Sequence, residues 1–341
     1  MNPTETRALG RTGVRLTQLG FGGASIGELF VKVPEEDALA CLRAAWDAGI
    51  RYFDTAPWYG RGLSELRTGA GLRDRPRDEF VLSTKVGRWL RAPAGPGSFR
   101  TTPWLGGVPF EVVFDYSYDG IMRSYEQSQL RLGLTRYDLA IVHDLDLGYH
   151  KPESRLAAYF AQLASSGFRA LAELKAAGLI RGIGAGINAL GLIPRFLDLF
   201  DLDFFLVAMP YTLLHQEVLE EEFPRCVERG IGFVIGAVFS SGVLATGAVP
   251  GAHYDYAPAP PDILERVRRI EAACARHKVP LPAAALQFPL GHPSVAAVIP
   301  GASRPAQVER NVAAFRHPIP RQLWAELKAE GLLREDAPVP A

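Results

Sequence analysis

The stretch EEDALACLRAAWDAGIRYFDTAPWYG, residues 35–60, contains the structural unit from which the rest of the fold can be inferred. Its first half places apolar side chains such as Leu42 and Trp46 at helical spacing, and Gly49 follows as a helix C-cap. The short apolar run that comes next, Ile50–Asp54, has the composition of a buried strand. The stretch therefore predicts a helix that leads directly into a strand.

Short apolar runs of the same kind recur along the chain, with helical patterns between them. The predicted strands are Leu16–Phe21, Ile50–Asp54, Phe80–Thr84, Leu139–Val142, Gly182–Ala185, Phe204–Val207, Phe233–Ile235 and Ala297–Ile299. The predicted helices are Glu35–Asp47, Tyr118–Arg131, Ala158–Ala177, Ile263–Arg276 and Pro305–Ala314. Because strands and helices alternate, the pattern predicts parallel β-α units.

Two architectures are built from such units, a closed (β/α)8 TIM barrel and an open doubly wound sheet. The open sheet usually carries GxGxxG after its first strand, and this motif is absent there. Gly182, Gly184 and Gly186 resemble the motif, but they begin within a strand and no acidic residue follows at the ribose position. We therefore predict an α/β fold in which residues 1–341 form a single (β/α)8 barrel domain.

Two long segments interrupt the alternation. Residues Arg91–Val113 follow the third predicted strand and are rich in Pro, Gly and aromatic side chains, and Ser240–Pro261 follow the seventh. Loops of this length inside a compact domain usually have a function. Because both follow strands, both are expected at the C-terminal end of the barrel, where barrel active sites are built.

Composition excludes several classes of partner. The 341 residues contain 37 Lys and Arg and 37 Asp and Glu, so there is no electrostatic argument for binding nucleic acid or an anionic membrane. The chain has no apolar run of about 18 residues, and its polar start lacks a signal-peptide core. Cys41, Cys226 and Cys274 lack a metal-ligand spacing. We expect a cytoplasmic protein with a small-molecule substrate and no metal, and monomer and homo-oligomer both stay open.

Four polar side chains stand at or just after the ends of three successive predicted strands. Asp54 ends the second strand, and Tyr59 lies in the loop that follows it. Lys85 ends the third strand, and His143 ends the fourth. Each alone has an ordinary structural explanation, such as a helix cap or a solvated side chain. Their coincidence at one end of a barrel favours a catalytic site.

The chemistry that suits these four side chains is hydride transfer coupled to proton transfer. A carbonyl that is reduced must receive a proton, and Tyr59 can supply it if its pKa falls below the usual value of about 10. The Lys85 ammonium is expected to lower that pKa, while Asp54 holds the ammonium in place. His143 is expected to donate a hydrogen bond to the substrate oxygen. In alcohol oxidation the same tyrosine acts as the base.

The motifs that carry these residues resemble the aldo-keto reductase superfamily. The resemblance covers roughly residues 7 to 330 and rests on LGRTGVRLTQLGFGG, FDTAPWYG, the lysine and histidine strand ends, and VIPGASRPAQVERN. It implies a (β/α)8 barrel with Asp54, Tyr59, Lys85 and His143 as the catalytic set. The runs DYSYDGIMRS, ALAELKAAGLIRGIGAGIN, YTLLHQ, SSGVLATG and PAAALQFPLGHPSV resemble the branch of D-threo-aldose (L-fucose) 1-dehydrogenase, L-galactose dehydrogenase and pyridoxal 4-dehydrogenase.

The resemblance also implies a nicotinamide cofactor across the barrel mouth. It assigns the carboxamide to Asn188, the diphosphate to the segment Ser240–Leu244, and the adenosine end to Pro300–Arg304 with Gln307 and Asn311. The complete set of expected cofactor contacts is Gly22, Gly23, Asp54, Asn188, Ser240, Ser241, Gly242, Leu244, Pro300, Gly301, Ala302, Arg304, Gln307 and Asn311.

Departures from the family pattern bear on which cofactor is used. Relatives that prefer NADP usually place cations around the 2′-phosphate, but here Gly301 and Gln307 occupy two such positions and Arg304 is the cation that remains. Ala208 replaces a common glutamine, so the anchoring of the nicotinamide can differ. We predict NAD, with NADP tolerated.

The substrate pocket is expected to use Trp58, Arg88 and Trp89 beside Tyr59 and His143. Aromatic faces suit the apolar face of a sugar or a pyridine ring, although structural packing can explain either tryptophan. Arg88 suits an anionic or polyhydroxylated substrate, and a solvated arginine at the rim is the alternative.

The leading interpretation is NAD(P)-dependent oxidation of an aldose at C1 to the lactone. The alternatives are an oxidoreductase for pyridoxal or another aldehyde or alcohol, a reductase that forms the alcohol, and a non-catalytic nucleotide-binding regulatory barrel. The complete set of four catalytic residue types argues against the last of these.

Overall fold

The eight strands that the described residues contribute to the central sheet run parallel in chain order. The computed structural model describes residues 1–95 and 103–341. The strands are β1 (Phe21–Gly22), β2 (Tyr52–Asp54), β3 (Val81–Val86), β4 (Leu139–Val142), β5 (Gly182–Ile187), β6 (Phe204–Ala208), β7 (Gly232–Gly236) and β8 (Val295–Val298).

The sheet closes on itself between β8 and β1. Gly20 N donates a hydrogen bond to Val298 O at 2.9 Å, and Gly22 N donates to Pro300 O at 3.1 Å. Parallel bridges join Leu19 to Val298 and Gly22 to Gly301. The prediction of a (β/α)8 barrel is therefore confirmed over the doubly wound alternative.

Helices connect the strands on the outside of the barrel. Their bounds are α1 (Glu35–Asp47), α2 (Leu63–Leu72), α3 (Tyr118–Leu132), α4 (Glu153–Gln162), α5 (Phe168–Ala176), α6 (Leu192–Leu199), α7 (Glu222–Glu228), α8 (Val243–Thr246), α9 (Pro261–Arg276), α10 (Leu281–Gln287), α11 (Pro305–Arg316) and α12 (Arg321–Ala329). A π-helical turn, Leu163–Gly167, joins α4 to α5, so the helix predicted over Ala158–Ala177 is the second part of a longer helical segment.

The first predicted strand, Leu16–Phe21, was wrong as a single element. Arg15–Thr17 pairs antiparallel with Thr6–Ala8, and Phe21–Gly22 alone forms β1. The apolar side chains of this hairpin, Leu9, Val14 and Leu16, are fully buried against residues of the barrel interior. The apolar run is continuous because one part covers the end of the barrel and the other part enters its wall.

The interior of the barrel is filled by side chains. Tyr52, Leu139, Ile141, Phe204, Leu206, Val234 and Ile299 belong to one buried cluster. A larger cluster lies between the sheet and the helices. Since the interior is packed with apolar side chains, polar chemistry is confined to the strand ends, as is usual for this fold.

Both long segments leave the C-terminal ends of strands, as predicted, but neither is only a loop. Arg88–Arg91 forms an antiparallel ladder with Glu111–Phe114, so the predicted loop Arg91–Val113 begins and ends in strands, and its residues 96–102 lie outside the described residues. Within the segment Ser240–Pro261 the chain forms a 3-10 turn and α8, followed by the paired short strands His253–Tyr254 and Ala257–Pro258.

Over the part of the chain that the structure describes, we find no helix of the length and apolarity that crossing a membrane requires.

The hairpin that covers the barrel end generates a stability prediction at Gly10. Its φ is +46°, and a Cβ there would lie 2.5 Å from Gly232 N, at the start of β7, and 2.9 Å from Asp203 O, directly before β6. Gly10→Ala should lower the free energy of unfolding by about 3 kcal/mol, because rigid backbone must move and the left-handed conformation is strained. Urea unfolding followed by circular dichroism measures the change.

Gly13→Ala is the matched control. Gly13 also has a positive φ, +70°, but a Cβ there would meet no atom within 4 Å. It should therefore cost only the conformational strain, about 1 kcal/mol. Equal losses in the two variants would contradict the close packing at Gly10.

Candidate active site

Three neighbouring strands bring the first site residues together. Asp54 is the last residue of β2, Lys85 is the penultimate residue of β3, and His143 directly follows β4. In the sheet register Asp54 lies opposite Ser83, and Lys85 is the next residue on the same face of β3 as Ser83. The alternation of side chains along parallel strands thus directs these groups toward one point at the barrel mouth.

Asp54 and Lys85 form a buried ion pair. Lys85 Nζ lies 2.7 Å from both carboxylate oxygens of Asp54 and donates a third hydrogen bond to Thr55 O at 2.8 Å. The two residues are 2% and 1% exposed. Ser83 Oγ donates to Asp54 Oδ1 at 2.6 Å. All three donors of the ammonium are used, so the cation is fixed in position.

Tyr59 lies beside this ion pair, in the turn after β2. Its ring centroid is 5.2 Å from Lys85 Nζ and 5.8 Å from the ring centroid of His143, which it meets edge-on. Its backbone N donates to Ala56 O at 3.1 Å, which holds the turn closed. The structure therefore brings together all four side chains that the sequence singled out.

The pKa of Tyr59 moves in the opposite direction to the one predicted. Burial of the phenol raises its pKa well above 10, and the carboxylates of Asp54 and Asp144 raise it further. The charge of Lys85 is balanced by Asp54 at 2.7 Å, so the ammonium does not offset the desolvation. Tyr59 is therefore neutral at physiological pH, the form that can donate a proton.

His143 is also neutral. Burial lowers the pKa of its imidazole well below 6.5, and the cations Arg88 and Lys85 lower it further. Its Nε2 lies 3.2 Å from Asp144 Oδ2. Its Nδ1 is buried and has no hydrogen-bond partner among residues 1–95 and 103–341. A neutral imidazole carries a single N–H and can offer it to a substrate oxygen.

Arg88 is buried rather than solvated at the rim. The chain turns at Gly87, whose φ is +92°, and Arg88 then donates from Nη2 to Asp144 Oδ2 at 2.7 Å. The residue is 1% exposed, and its Nε and Nη1 lack partners in the described part of the chain. Its guanidinium carbon lies 4.4 Å from the ring centroid of Tyr149 and 5.5 Å from that of Trp58.

The aromatic walls of the site include residues that the sequence analysis missed. The ring of Trp58 meets Tyr149 and Trp104 edge-on, at centroid distances of 6.4 and 5.8 Å, and Trp104 also contacts Tyr59. Trp104 and Tyr149 lie in loops far from FDTAPWYG, so no local motif marks them. Asp144 was also missed, although its position directly after His143 was a usable signal.

Trp89 lies apart from this group. Successive residues of a strand point to opposite faces, and Arg88 points toward Asp144. The ring of Trp89 packs instead against the guanidinium of Arg123 on α3, at 4.5 Å. The expected substrate contact of Trp89 therefore finds no support in its packing.

Asn188 directly follows β5 and faces two carboxylates. Its Nδ2 donates to Asp144 Oδ1 at 2.8 Å and to Asp146 Oδ2 at 3.0 Å. Both of its N–H groups are engaged, so the remaining hydrogen-bonding group of this side chain is the amide oxygen. An acceptor of this kind fits the NH₂ of a nicotinamide carboxamide.

The segment after β7 has the properties of a binding turn. Ser240, Ser241 and Gly242 all have positive φ, at 47°, 61° and 111°. Ser240 Oγ is fully buried and has no partner among the described residues, while Ser241 Oγ accepts a hydrogen bond from Tyr256 N at 3.0 Å. Leu244 is buried in the helix that follows. A buried hydroxyl without a partner fits a ligand oxygen such as that of a diphosphate.

The loop after β8 is held by two of the residues that were expected at the adenosine end. Gln307 Oε1 accepts from Ser303 N at 2.7 Å, and Asn311 Nδ2 donates to Gly301 O at 3.5 Å. Pro300 and Ala302 are buried, whereas Arg304 is exposed at the start of α11.

Gly22 and Gly23 allow close packing of the strand ends. A Cβ at Gly22 would lie 2.7 Å from Ile299 O, and one at Gly23 would lie 2.7 Å from Asp54 O. Close packing of the backbone is therefore a sufficient reason for glycine at both positions, and no contact with a cofactor is needed to explain it.

The described residues contain no cluster of His, Cys, Asp and Glu that could hold a metal ion.

The mouth of this closed parallel barrel holds a neutral tyrosine, a buried lysine–carboxylate pair and a neutral histidine. These are the groups that the interconversion of a carbonyl and an alcohol requires. The sequence profile of the Aldo/keto reductase family matches residues 18–330, and the chain belongs to this family. It is thus an oxidoreductase, and the family uses nicotinamide cofactors.

Several relatives match nearly the whole chain. Pyridoxal 4-dehydrogenase of Microbacterium luteolum is 44% identical and covers 98% of this chain and 99% of its own. D-threo-aldose 1-dehydrogenase of a Pseudomonas species is 42% identical, with 98% and 99% covered. L-galactose dehydrogenase of Arabidopsis thaliana is 30% identical, with 92% and 89% covered. The predicted resemblance to this branch is confirmed.

Solved structures show the same fold. The aldo-keto reductase AKR11C1 from Bacillus halodurans, in its holo form, superposes with a TM-score of 0.72 at 25% identity and covers 97% of both chains.

The ion pair generates a prediction for Asp54→Asn. The substitution leaves Lys85 as a buried cation without a charged partner, which should lower the free energy of unfolding by about 3–5 kcal/mol. Turnover should fall at least tenfold, because the ammonium is no longer held beside Tyr59. Urea unfolding and steady-state kinetics measure the two effects.

Ser83→Ala is the control for Asp54→Asn. It removes the hydrogen bond to the same carboxylate and the 3.0 Å hydrogen bond between Ser83 Oγ and the buried Tyr52 Oη, and it keeps the charge of Asp54. It should therefore cost about 2–3 kcal/mol and leave most of the turnover. If both variants lost the same turnover, the charge of Asp54 would not be what matters.

Proposed function

We propose that this protein oxidises an aldose at C1 to the lactone and prefers NAD⁺ as the hydride acceptor. The observation that carries the proposal is the buried Asp54–Lys85 pair at the barrel mouth. Lys85 Nζ lies 5.2 Å from the ring centroid of Tyr59, and the ring centroid of His143 lies 5.8 Å from the same point. The relatives named for D-threo-aldose and L-galactose supply the substrate class.

Different residues of this chain have different roles in the proposed reaction. A nicotinamide held at the barrel mouth would supply the acceptor for the hydride of C1 of the sugar. Tyr59 takes the proton of the C1 hydroxyl, and its phenolate is stabilised by the fixed ammonium of Lys85. His143 hydrogen-bonds the same substrate oxygen. In the reverse direction neutral Tyr59 donates its proton to the carbonyl oxygen and becomes the phenolate beside Lys85, so the same groups serve reduction as well.

Residues that follow three strands of the barrel, β5, β7 and β8, would hold the cofactor. The amide oxygen of Asn188 would accept from the carboxamide, and the buried hydroxyl of Ser240 would donate to the diphosphate. Arg304 is the expected contact at the adenosine end. The orphaned Ser240 Oγ and the doubly anchored Asn188 are the features that support this fit.

The walls of the pocket support a ring-shaped substrate. Trp58 and Tyr149 offer aromatic faces, and the buried Arg88, which contacts both rings, offers donors. Such walls also fit the pyridine ring of pyridoxal, and the relative of that name is 44% identical. Oxidation of pyridoxal is therefore the second candidate function.

A panel of aldoses and pyridoxal, each with NAD⁺ and NADP⁺ and followed by cofactor absorbance, tests the proposal. The highest kcat/KM on an aldose with NAD⁺ is the expected result. A higher value on pyridoxal would favour the second candidate. Nucleotide binding without turnover of any of these compounds would instead indicate a regulatory barrel.

Tyr59→Phe should abolish oxidation, with a loss of roughly 100- to 10,000-fold in kcat, while cofactor binding stays intact.

Since burial raises the pKa of Tyr59 above 10, the deprotonated base is scarce at neutral pH. The wild-type oxidation rate should therefore rise by up to tenfold per pH unit through the alkaline range. His143 is neutral throughout this range and does not add to the slope.

The measurement for Tyr59 is a pH–rate profile of both proteins together with a titration of cofactor fluorescence. A variant that keeps most of its turnover, or a wild-type rate that is independent of pH, would remove Tyr59 from the role of base.

Arg304→Ala should weaken NADP⁺ more than NAD⁺ if the guanidinium contacts the 2′-phosphate. An exposed contact of this kind contributes about 1 kcal/mol, roughly fivefold in affinity. Arg316→Ala removes the same charge from the other end of α11, about 18 Å away, and should change neither affinity. Titration of both cofactors measures the effect, and equal weakening of both would place Arg304 on the adenine.

A further inference from the structure

One carboxylate lies at the centre of the site without having been assigned a role. Asp144 Oδ2 accepts from Arg88 Nη2 at 2.7 Å and lies 3.2 Å from His143 Nε2. Its Oδ1 accepts from Asn188 Nδ2 at 2.8 Å. Asp144 thus contacts one residue expected at the substrate, one at the reacting oxygen and one at the nicotinamide.

The backbone and the surroundings of Asp144 fit a functional position better than a purely structural one. Its φ is +41°, a left-handed conformation that is uncommon for residues other than glycine, although Asp and Asn adopt it more readily than the rest. Burial raises the pKa of its carboxyl, and the charge of Arg88 works against that shift. A charge in so buried a place requires partners that satisfy it, and the hydrogen bonds from Arg88 and Asn188 supply them.

The contact with His143 has a specific consequence for the imidazole. Because the ring is neutral, its one proton can reside on either nitrogen. The carboxylate beside Nε2 favours the proton on that nitrogen, and buried Nδ1 has no acceptor within the described residues. A proton on Nε2 makes this nitrogen a donor, and because the 3.2 Å contact with Asp144 is not aligned as a hydrogen bond, the N–H stays available to the substrate oxygen.

We propose that Asp144 is a positioning residue of the hydride-transfer site, which sets the tautomer and orientation of His143 and ties it to Asn188 and Arg88. The proposal rests on the proposed function, since it assigns His143 to the reacting oxygen. Asp144 itself does not need to touch the substrate.

Asp144→Asn tests the proposal with two readouts. The kcat should fall about 10- to 100-fold, with a smaller change in KM, because the donor to the reacting oxygen is no longer fixed. Nitrogen-15 NMR of histidine-labelled protein should show a single Nε2–H tautomer of His143 in the wild type and a mixture in the variant. A His143→Gln variant assigns the resonances among the seven histidines.

Asp146→Asn is the matched control. Asp146 also accepts from Asn188, at 3.0 Å, and it is a buried carboxylate two residues from Asp144. It should weaken cofactor binding through Asn188 and leave the His143 tautomer as in the wild type. The same tautomer change in both variants would overturn the proposal, because the effect would then not come from the Asp144 contact.

A second variant separates positioning from simple charge balance. Asp144→Asn leaves Arg88 as an unpaired buried cation and can prevent folding, whereas the double variant R88M/D144N removes both charges. The double variant should still show the mixed tautomer and the lower kcat. If it recovers the wild-type tautomer and a kcat within twofold of wild type, the proposal is overturned, because Asp144 then only balances Arg88.

The NMR readout needs no substrate, so it distinguishes failure of this proposal from failure of the proposed function. An unchanged tautomer in Asp144→Asn overturns the positioning role whatever the substrate is. A changed tautomer supports that role even if aldoses are not the substrates.

Discussion

The buried pair of Asp54 and Lys85 is the interaction on which the rest of the site depends. Taking two charges out of water costs several kcal/mol per ion, and only good geometry and further hydrogen bonds offset this cost. Here both carboxylate oxygens, the Thr55 carbonyl and the Ser83 hydroxyl satisfy the pair. Such a pair is stable only if β2 and β3 keep their register, so the geometry of the site depends on correct pairing of these two strands.

The barrel places further polar residues next to this ion pair, so that a larger polar network forms at the barrel mouth. Parallel strands end side by side, so Lys85 and His143, which are 31 and 89 residues from Asp54 along the chain, arrive at the same end of the barrel. A second ion pair, Arg88 with Asp144, contacts His143 through the carboxylate of Asp144. Tyr59 adjoins the first pair, with its ring centroid 5.2 Å from Lys85 Nζ. The desolvation that the surrounding packing causes keeps both Tyr59 and His143 neutral.

Sequence reasoning identified the barrel strands well because their signal is local. Runs such as Leu139–Val142 are short, apolar and bounded by polar residues, and the structure gives this strand with the same bounds. It failed at Leu16–Phe21, where two elements with different partners share one apolar run. An apolar run indicates that a segment is buried, but it does not indicate which segment it packs against. The pattern therefore could not distinguish a hairpin that covers the barrel end from a strand in the barrel wall.

The sequence by itself determined the alternation of strands and helices and the four polar residues at the strand ends, because both follow from residue type and local spacing. Only the tertiary structure decided the direction of the Tyr59 pKa shift, the burial of Arg88 and the central place of Asp144. Each of these depends on distances between residues far apart in the chain and on how completely packing excludes water. The physical reason is that electrostatic interactions are set by geometry and solvation, neither of which residue types along a chain encode directly.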